Sequence, residues 1–248
     1  MAGLSEIRVF DTIPELMRAA ADEVVRDAAK AVRERGRFAW ALSGGSTPRD
    51  LYSLLASPLY RDRLPWSAIH VFWGDERHVP PDHPDSNFRM AREAMLDAVP
   101  LPPQNIHRIR AEEPDAAVAA KAYEAELRDF FHLAQDRWPR FDLILLGLGK
   151  DAHTASLFPC GEFIHESERL VVAPWVEAQN TFRITLTPPV LNAARLATFL
   201  VSGDDKAEPL HAVLEGARDP ERYPAQIVDG NRLWLVDQAA ARLLETAA

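Results

Sequence analysis

Short apolar stretches alternate with longer amphipathic ones along the whole chain. The apolar stretches are of β type and fall at Ile7–Phe10, Phe38–Leu42, Ile69–Trp73, Phe141–Leu146, Leu170–Ala173, Arg183–Leu186, Thr198–Ser202 and Leu233–Val236. Between them the pattern predicts helices near Ile13–Glu34, Pro48–Ala56, Asn87–Ala98, Ala116–Phe131, Pro189–Ala194, Ala207–Glu215 and Ala239–Glu245. Strands alternating with helices of this length predict an α/β fold with a mostly parallel sheet. Phe141–Leu146 is almost wholly apolar, as expected of a strand covered on both faces. No repeat or low-complexity linker interrupts the pattern, and the proline-rich patches at Pro80–Pro84, Pro100–Pro103 and Pro188–Pro189 read as turns. The expectation is therefore a single domain over 1–248.

Composition narrows the function classes. The chain carries 28 Lys plus Arg against 37 Asp plus Glu, a net charge of −9, which disfavours a nucleic-acid partner. It does not oppose a small anion, because a pocket can be positive on a negative protein. Only Lys30, Lys121, Lys150 and Lys206 are lysines, so the position of each is informative. A single cysteine, Cys160, excludes an internal disulfide framework and a multi-cysteine zinc site, and fits a reducing compartment. The first eleven positions include acidic and basic residues and lack an apolar core, so no secretory leader is expected. The apolar runs are too short to span a bilayer. The expectation is a cytoplasmic enzyme or binding protein with no membrane partner.

In open α/β sheets, ligands sit beyond the carboxyl ends of the strands, so the loops there are where chemistry is expected. After Phe38–Leu42 comes Ser43-Gly44-Gly45-Ser46-Thr47-Pro48. Two glycines permit close backbone approach, and the helix start offers N–H groups to an anion. Thr47 is the expected N-cap and Pro48 the expected first helical residue. An ordinary strand-to-helix turn is the alternative. After Ile69–Trp73 comes Gly74-Asp75-Glu76-Arg77-His78, three of whose side chains are costly at a strand end unless solvated, paired or used. A metal set of Asp75, Glu76 and His78 lacks a second ligand cluster at suitable spacing. Ser86 is the expected N-cap of the helix that follows.

The strongest buried strand leads into Gly147-Leu148-Gly149-Lys150-Asp151-Ala152-His153-Thr154-Ala155-Ser156-Leu157-Phe158-Pro159. A histidine can take a proton from water at neutral pH, and a neighbouring carboxylate can orient it. Ser43 and Ser156 lack the G-x-S-x-G elbow of a nucleophilic serine. Arg183 leads its strand, where a plain surface charge is the simplest expectation. Lys206 opens a helix, an unfavourable place for a cation unless an anion lies nearby.

The strings ALSGGSTP, VFWGDERHVPPDHPDSNFRM, FDLILLGLGKDAHTASLFP and RITLT, with the ending RLWLVDQAAA, resemble those of the 6-phosphogluconolactonases in order and spacing over nearly the whole chain. Glucosamine-6-phosphate deaminases resemble it less: they carry DEY at Asp75-Glu76-Arg77 and an HIAFNEP-like string at HTASLFP. The resemblance implies a three-layer α/β/α sandwich related to the ribose-5-phosphate isomerase and glucosamine-6-phosphate deaminase fold. It implies hydrolysis of 6-phospho-D-glucono-1,5-lactone to 6-phosphogluconate, the second step of the oxidative pentose phosphate pathway, with no cofactor or metal. The family's water-activating histidine falls on His153, expected to act with Asp151, Arg77 and Asp75. Ser43, Gly44, Gly45, Ser46, Thr47, Arg183 and Lys206 are the expected substrate and phosphate ligands. A monomer or weak homo-oligomer is expected. Two positions depart from the family: Ala152 stands where Gly is usual, and Cys160 where Gly often follows LFP, read here as a small buried filler. A deaminase or isomerase on the same fold, and a non-catalytic sugar-phosphate sensor, are the competing readings.

Overall fold

The computed structural model describes residues 3–134 and 136–245. Its strands are β1 (Ser5–Phe10), β2 (Phe38–Leu42), β3 (Ile69–Trp73), β4 (Asp75–Arg77), β5 (Leu143–Leu146), β6 (Val171–Val172), β7 (Trp175–Val176), β8 (Thr181–Leu186), β9 (Ala197–Val201) and β10 (Arg232–Asp237). Its helices are α1 (Ile13–Arg35), α2 (Ser46–Ala56), α3 (Asn87–Ala94), α4 (Ala116–Phe130), α5 (Pro188–Ala193), α6 (Ala207–Leu214) and α7 (Gln238–Ala241).

Six strands form one parallel sheet in the order β1-β10-β9-β5-β2-β3, flanked by helices. This is the α/β architecture expected from the alternating pattern. Every residue of β2, β5 and β9 is buried, which is why these segments read as unbroken apolar runs. Trp40, Trp73 and Trp234 are fully buried, and Phe199 stacks on Trp234 at 3.8 Å. Truncating any of them to alanine costs about 3–5 kcal/mol.

Helix α1 shows how local sequence sets the boundaries. Thr12 accepts a hydrogen bond from the Glu15 N–H, Pro14 lies in the first turn, and Gly36 ends the helix at φ 74°. Leu16, Met17, Ala20, Ala21, Val24, Ala28 and Ala31 form its buried stripe.

Two local expectations are corrected. Helix α2 begins at Ser46, not Pro48, with Gly45 as its N-cap and no side-chain cap, because the Thr47 hydroxyl is used in a bond to Ser202 Oγ at 2.9 Å. Asp75–Arg77 is not a loop: it forms β4 of a second, antiparallel sheet, β4-β8-β6, with β7 joined to β8. Three charged residues give no apolar alternation, so this strand carries no periodic signal.

Chain order reverses at the β2/β5 neighbours: from β2 the chain runs outward to β3, then returns to β5 and runs outward through β9 and β10. A crevice opens at such a reversal, beyond the carboxyl ends of the strands. The small sheet stands over it.

Candidate active site

The crevice is a cavity of about 260 Å³ lined from four directions. The loop after β2 supplies Ser43, Gly44 and Gly45. The loop after β5 supplies Gly147, Leu148, Gly149, His153, Ala155, Ser156 and Phe158. The small sheet supplies Asp75, Arg77 and Arg183, the β7–β8 connection supplies Gln179, and α3 and the β9–α6 connection add Asn87 and Lys206.

Buried tyrosines hold the strand ends. Tyr52 donates to the Ser43 carbonyl at 2.8 Å and accepts from the Ser43 N–H at 2.9 Å. Burial raises its phenol far above the ordinary value, so it stays a neutral donor. Tyr123 does the same for Trp73 at the end of β3. The first turn of α2, which opens at Gly45 with φ 106°, has no side-chain cap and presents free N–H groups beside the cavity.

The loop after β5 carries a paired carboxylate and imidazole. Asp151 Oδ1 lies 2.5 Å from His153 Nδ1 and 3.2 Å from the His153 N–H. Burial raises the Asp151 carboxyl, but the hydrogen bond and charge of His153 outweigh it and hold the group below its ordinary value. The ionised carboxylate places the Nδ1 proton between them and leaves Nε2 as the nitrogen that can accept one. Phe158 packs against the imidazole with ring centroids 4.4 Å apart. A Cβ on Gly149 would fall 2.1 Å from His153 Nδ1 and 2.5 Å from Asp151 Oδ1, so the pair forms over a position only glycine can occupy. Ala152 lies between its members at φ 62° and is buried. The backbone thus needs a left-handed residue here and accommodates alanine at a cost of about 1–2 kcal/mol.

Asp75 is buried, accepts from Ser156 Oγ at 2.6 Å and sits beside Asn87, whose Nδ2 donates to the Asp75 carbonyl at 2.9 Å. Ser156 is therefore a buried donor to a carboxylate, in keeping with its rejection as a nucleophile. Arg77 and Arg183 face one another across β4 and β8. Burial, then the charge of Arg77, lowers the Arg183 pKa. The expectation of a plain surface charge for Arg183 is corrected: it is a buried cation on the cavity wall, hydrogen-bonded to Gln179.

The metal set of Asp75, Glu76 and His78 disperses. Glu76 turns the other way and accepts from the Arg77, Asn87 and Phe88 N–H groups and from Ser86 Oγ, while Ser86 caps α3 as expected. His78 Nε2 lies 2.7 Å from the Glu113 carbonyl. Ser46 and Thr47 sit in the first turn of α2 and do not line the cavity. Lys206 lines it; Lys150 is exposed outside it, and both approach Asp205 Oδ2, at 3.6 and 3.5 Å. Cys160 is exposed, not buried, and adopts φ 53°. Sequence reasoning missed Asn87, Gln179 and Phe158 as cavity residues. Gln179 belongs to no motif, whereas Phe158 stood inside the quoted HTASLFP string.

Residues 11–236 match the family model described as glucosamine-6-phosphate isomerases/6-phosphogluconolactonase. A 6-phosphogluconolactonase of Synechocystis sp. is 47% identical over 217 residues, covering 87% of this chain and 88% of the relative. One from Nostoc sp. is 44% identical, covering 94% and 97%. The structure of 6-phosphogluconolactonase from Trypanosoma cruzi superimposes with a TM-score of 0.85 at 29% identity, covering 99% of this chain and 98% of that one. Among the described residues no helix is long and apolar enough to cross a membrane.

Proposed function

The chain belongs to the glucosamine-6-phosphate isomerase/6-phosphogluconolactonase family, and on that premise we propose that it hydrolyses 6-phospho-D-glucono-1,5-lactone, with His153 as general base. The observation that carries this reading is the Asp151–His153 pair, set in the same cavity as two opposed arginines.

His153 Nε2 accepts a proton as a water oxygen attacks the lactone carbonyl carbon. Asp151 keeps the imidazole in the right tautomer and stabilises its cationic form. Negative charge grows on the carbonyl oxygen, and backbone N–H groups or one of the cations lining the cavity oppose it. The tetrahedral intermediate then collapses, the bond from carbonyl carbon to ring oxygen breaks, and the proton on His153 passes to the departing ring oxygen. Acid and alcohol are the product groups, and no electron donor or acceptor is needed.

The 6-phosphate is assigned to Arg77, Arg183 and Lys206 together with the backbone N–H groups of Gly44 and Gly45 ahead of α2. Arginines suit a phosphate because the guanidinium fork matches its oxygens. Binding the remote phosphate fixes the carbonyl against the base, so binding energy is used for orientation. A cytoplasmic setting accords with the single, unpaired Cys160.

The test is acid release from freshly prepared 6-phosphogluconolactone. The wild type accelerates it, and His153→Ala lowers kcat by roughly 10²- to 10⁴-fold with an unchanged fold. Full activity in His153→Ala would remove the base assignment. Ammonia release from glucosamine 6-phosphate would replace the lactonase reading with a deaminase one.

A further inference from the structure

At the opposite end of the parallel sheet, where the strands begin, lies a second depression of about 470 Å³. It is roughly 16 Å from the catalytic crevice, the length of a five-residue strand. Its charge is out of keeping with the chain. Arg35, Arg37, Arg140 and Arg195 line it, and Asp142 is the only carboxylate among its described lining residues, on a protein whose net charge is −9. Glu23, Asp27 and Glu34 line a neighbouring hollow, which shares Arg35, Arg140, Arg195 and Asp142 with this one.

The one carboxylate is already committed. Asp142 Oδ2 accepts from the Ala39 N–H at 2.9 Å, and Oδ1 accepts from Arg35 Nε at 2.8 Å. Arg195 Nε lies 3.3 Å from the same Oδ1 but makes no hydrogen bond, although it is buried. Arg140 has no ion pair or hydrogen bond among the described residues. Arg37 rests on the Phe130 ring, 4.2 Å from its centroid, and donates to the Phe130 carbonyl. Burial, and then the charges of Arg35 and Arg140, lower the Arg195 pKa. Arg35 and Arg195 thus share one carboxylate, Arg35 also pairs with Glu34 at 2.6 Å, and Arg37 and Arg140 stand beside them with no carboxylate partner among the described residues. Beside them Trp138 is half-buried, with no ring or hydrogen-bond partner among the described residues.

We infer that this depression is a second anion site, separate from the catalytic crevice, which takes the multiply charged phosphate of a small molecule on Arg35, Arg140 and Arg195. Converging guanidinium groups repel one another until an anion with several acceptor oxygens joins them, and phosphate provides those oxygens in the geometry arginine prefers. The shared chemistry is the phosphate oxyanion. Its source is either a bare phosphate compound or one bearing a planar ring that stacks on Trp138.

The inference does not depend on the lactonase reading, and its test can fail separately. The intact protein is titrated calorimetrically with inorganic pyrophosphate at low ionic strength. Two binding events are expected. Arg77→Ala removes the event at the catalytic crevice, and the surviving event is weakened roughly tenfold or more by Arg140→Glu, which reverses one exposed charge. Arg140→Glu leaves lactone hydrolysis unchanged, and Arg140→Lys retains part of the binding. Repeating the titration with ADP separates the sources: tighter binding than pyrophosphate, lost in Trp138→Ala, marks a ring-bearing ligand, and equal binding marks a bare phosphate. A single event abolished by Arg77→Ala, or two events indifferent to Arg140→Glu, overturns the second site.

Discussion

Arg77 and Arg183 occupy directly opposed positions of the antiparallel β4–β8 pair, so two cations meet at the wall of one cavity. Like charges opposite one another destabilise a sheet. Both Nε atoms are buried without a hydrogen-bond partner, which adds a desolvation cost. Such an arrangement is tolerable where a ligand anion completes it. Replacing Arg183 by the apolar Met is expected to raise KM for the lactone phosphate by tenfold or more, with a smaller change in kcat. The unliganded variant is expected to melt no lower than the wild type, because a buried cation is exchanged for apolar volume. Steady-state kinetics and a melting curve check both halves, and a large loss of melting temperature with unchanged KM would make Arg183 a structural residue.

Asp151→Asn keeps the size of the side chain but removes the charge and adds an amide donor that can face Nδ1 and hold the imidazole in the wrong tautomer. A fall in kcat of roughly a hundredfold or more is expected, with KM little changed, since Asp151 does not line the cavity. The sign of the pH effect follows from the lowered Asp151 pKa. The native carboxylate remains ionised through the ordinary carboxylate range, so its contribution to stability is present above the unfolded value and is lost only as pH falls through the depressed native one. The melting-temperature difference between wild type and Asp151→Asn should therefore persist down to about pH 4 and shrink below it.

Gly149→Ala tests the close approach beneath the same pair. The added methyl falls within 2.1 Å of His153 Nδ1, so one member must move. Activity is expected to drop about as far as in Asp151→Asn, while far-ultraviolet circular dichroism stays that of the wild type. Normal activity would show that the pair is free to re-form elsewhere.

Ala152 and Cys160 both stand at positive φ, at 62° and 53°, but they differ in burial. Glycine relieves about 1–2 kcal/mol of left-handed strain at each and returns about 0.4–1 kcal/mol as unfolded-chain entropy. At Ala152 it also forfeits the burial of a methyl group, about 0.8 kcal/mol. Ala152→Gly is thus expected to be close to neutral, and Cys160→Gly to raise the melting temperature slightly. Thermal denaturation of the two variants side by side decides, and the opposite order would mean that the exposed turn near Phe158 is not strained.

Much of this molecule was legible before any coordinates. Strands β2 and β3 match their apolar runs residue for residue, and α1 matches to within one residue at its end, because burial on both sheet faces and a Thr-Pro-Glu start with a glycine stop leave plain local signals. Local signals misled where a side chain had a distant use. Thr47 has the chemistry of an N-cap but bonds to Ser202, 155 residues away. Asp75–Arg77 has no strand periodicity, and pairs with β8 because the small sheet needs that edge. Cys160 was expected inside, and the turn that carries it lies at the surface.

By itself, then, the sequence determined the α/β class, the family, and the loops at the strand ends that line the cavity, one of which carries Asp151 and His153 two positions apart. These depend on near neighbours in the chain: apolar periodicity, glycine turns and motif spacing. Only the tertiary structure decided that Arg183 faces Arg77, that Gln179 and Asn87 reach the cavity, that Glu76 turns away to the start of α3, and that Lys150 stays outside while Lys206 enters. Those relationships depend on strand register and on which side of a loop a side chain leaves the backbone. No local pattern encodes either one, because both are set by packing between segments far apart in the chain.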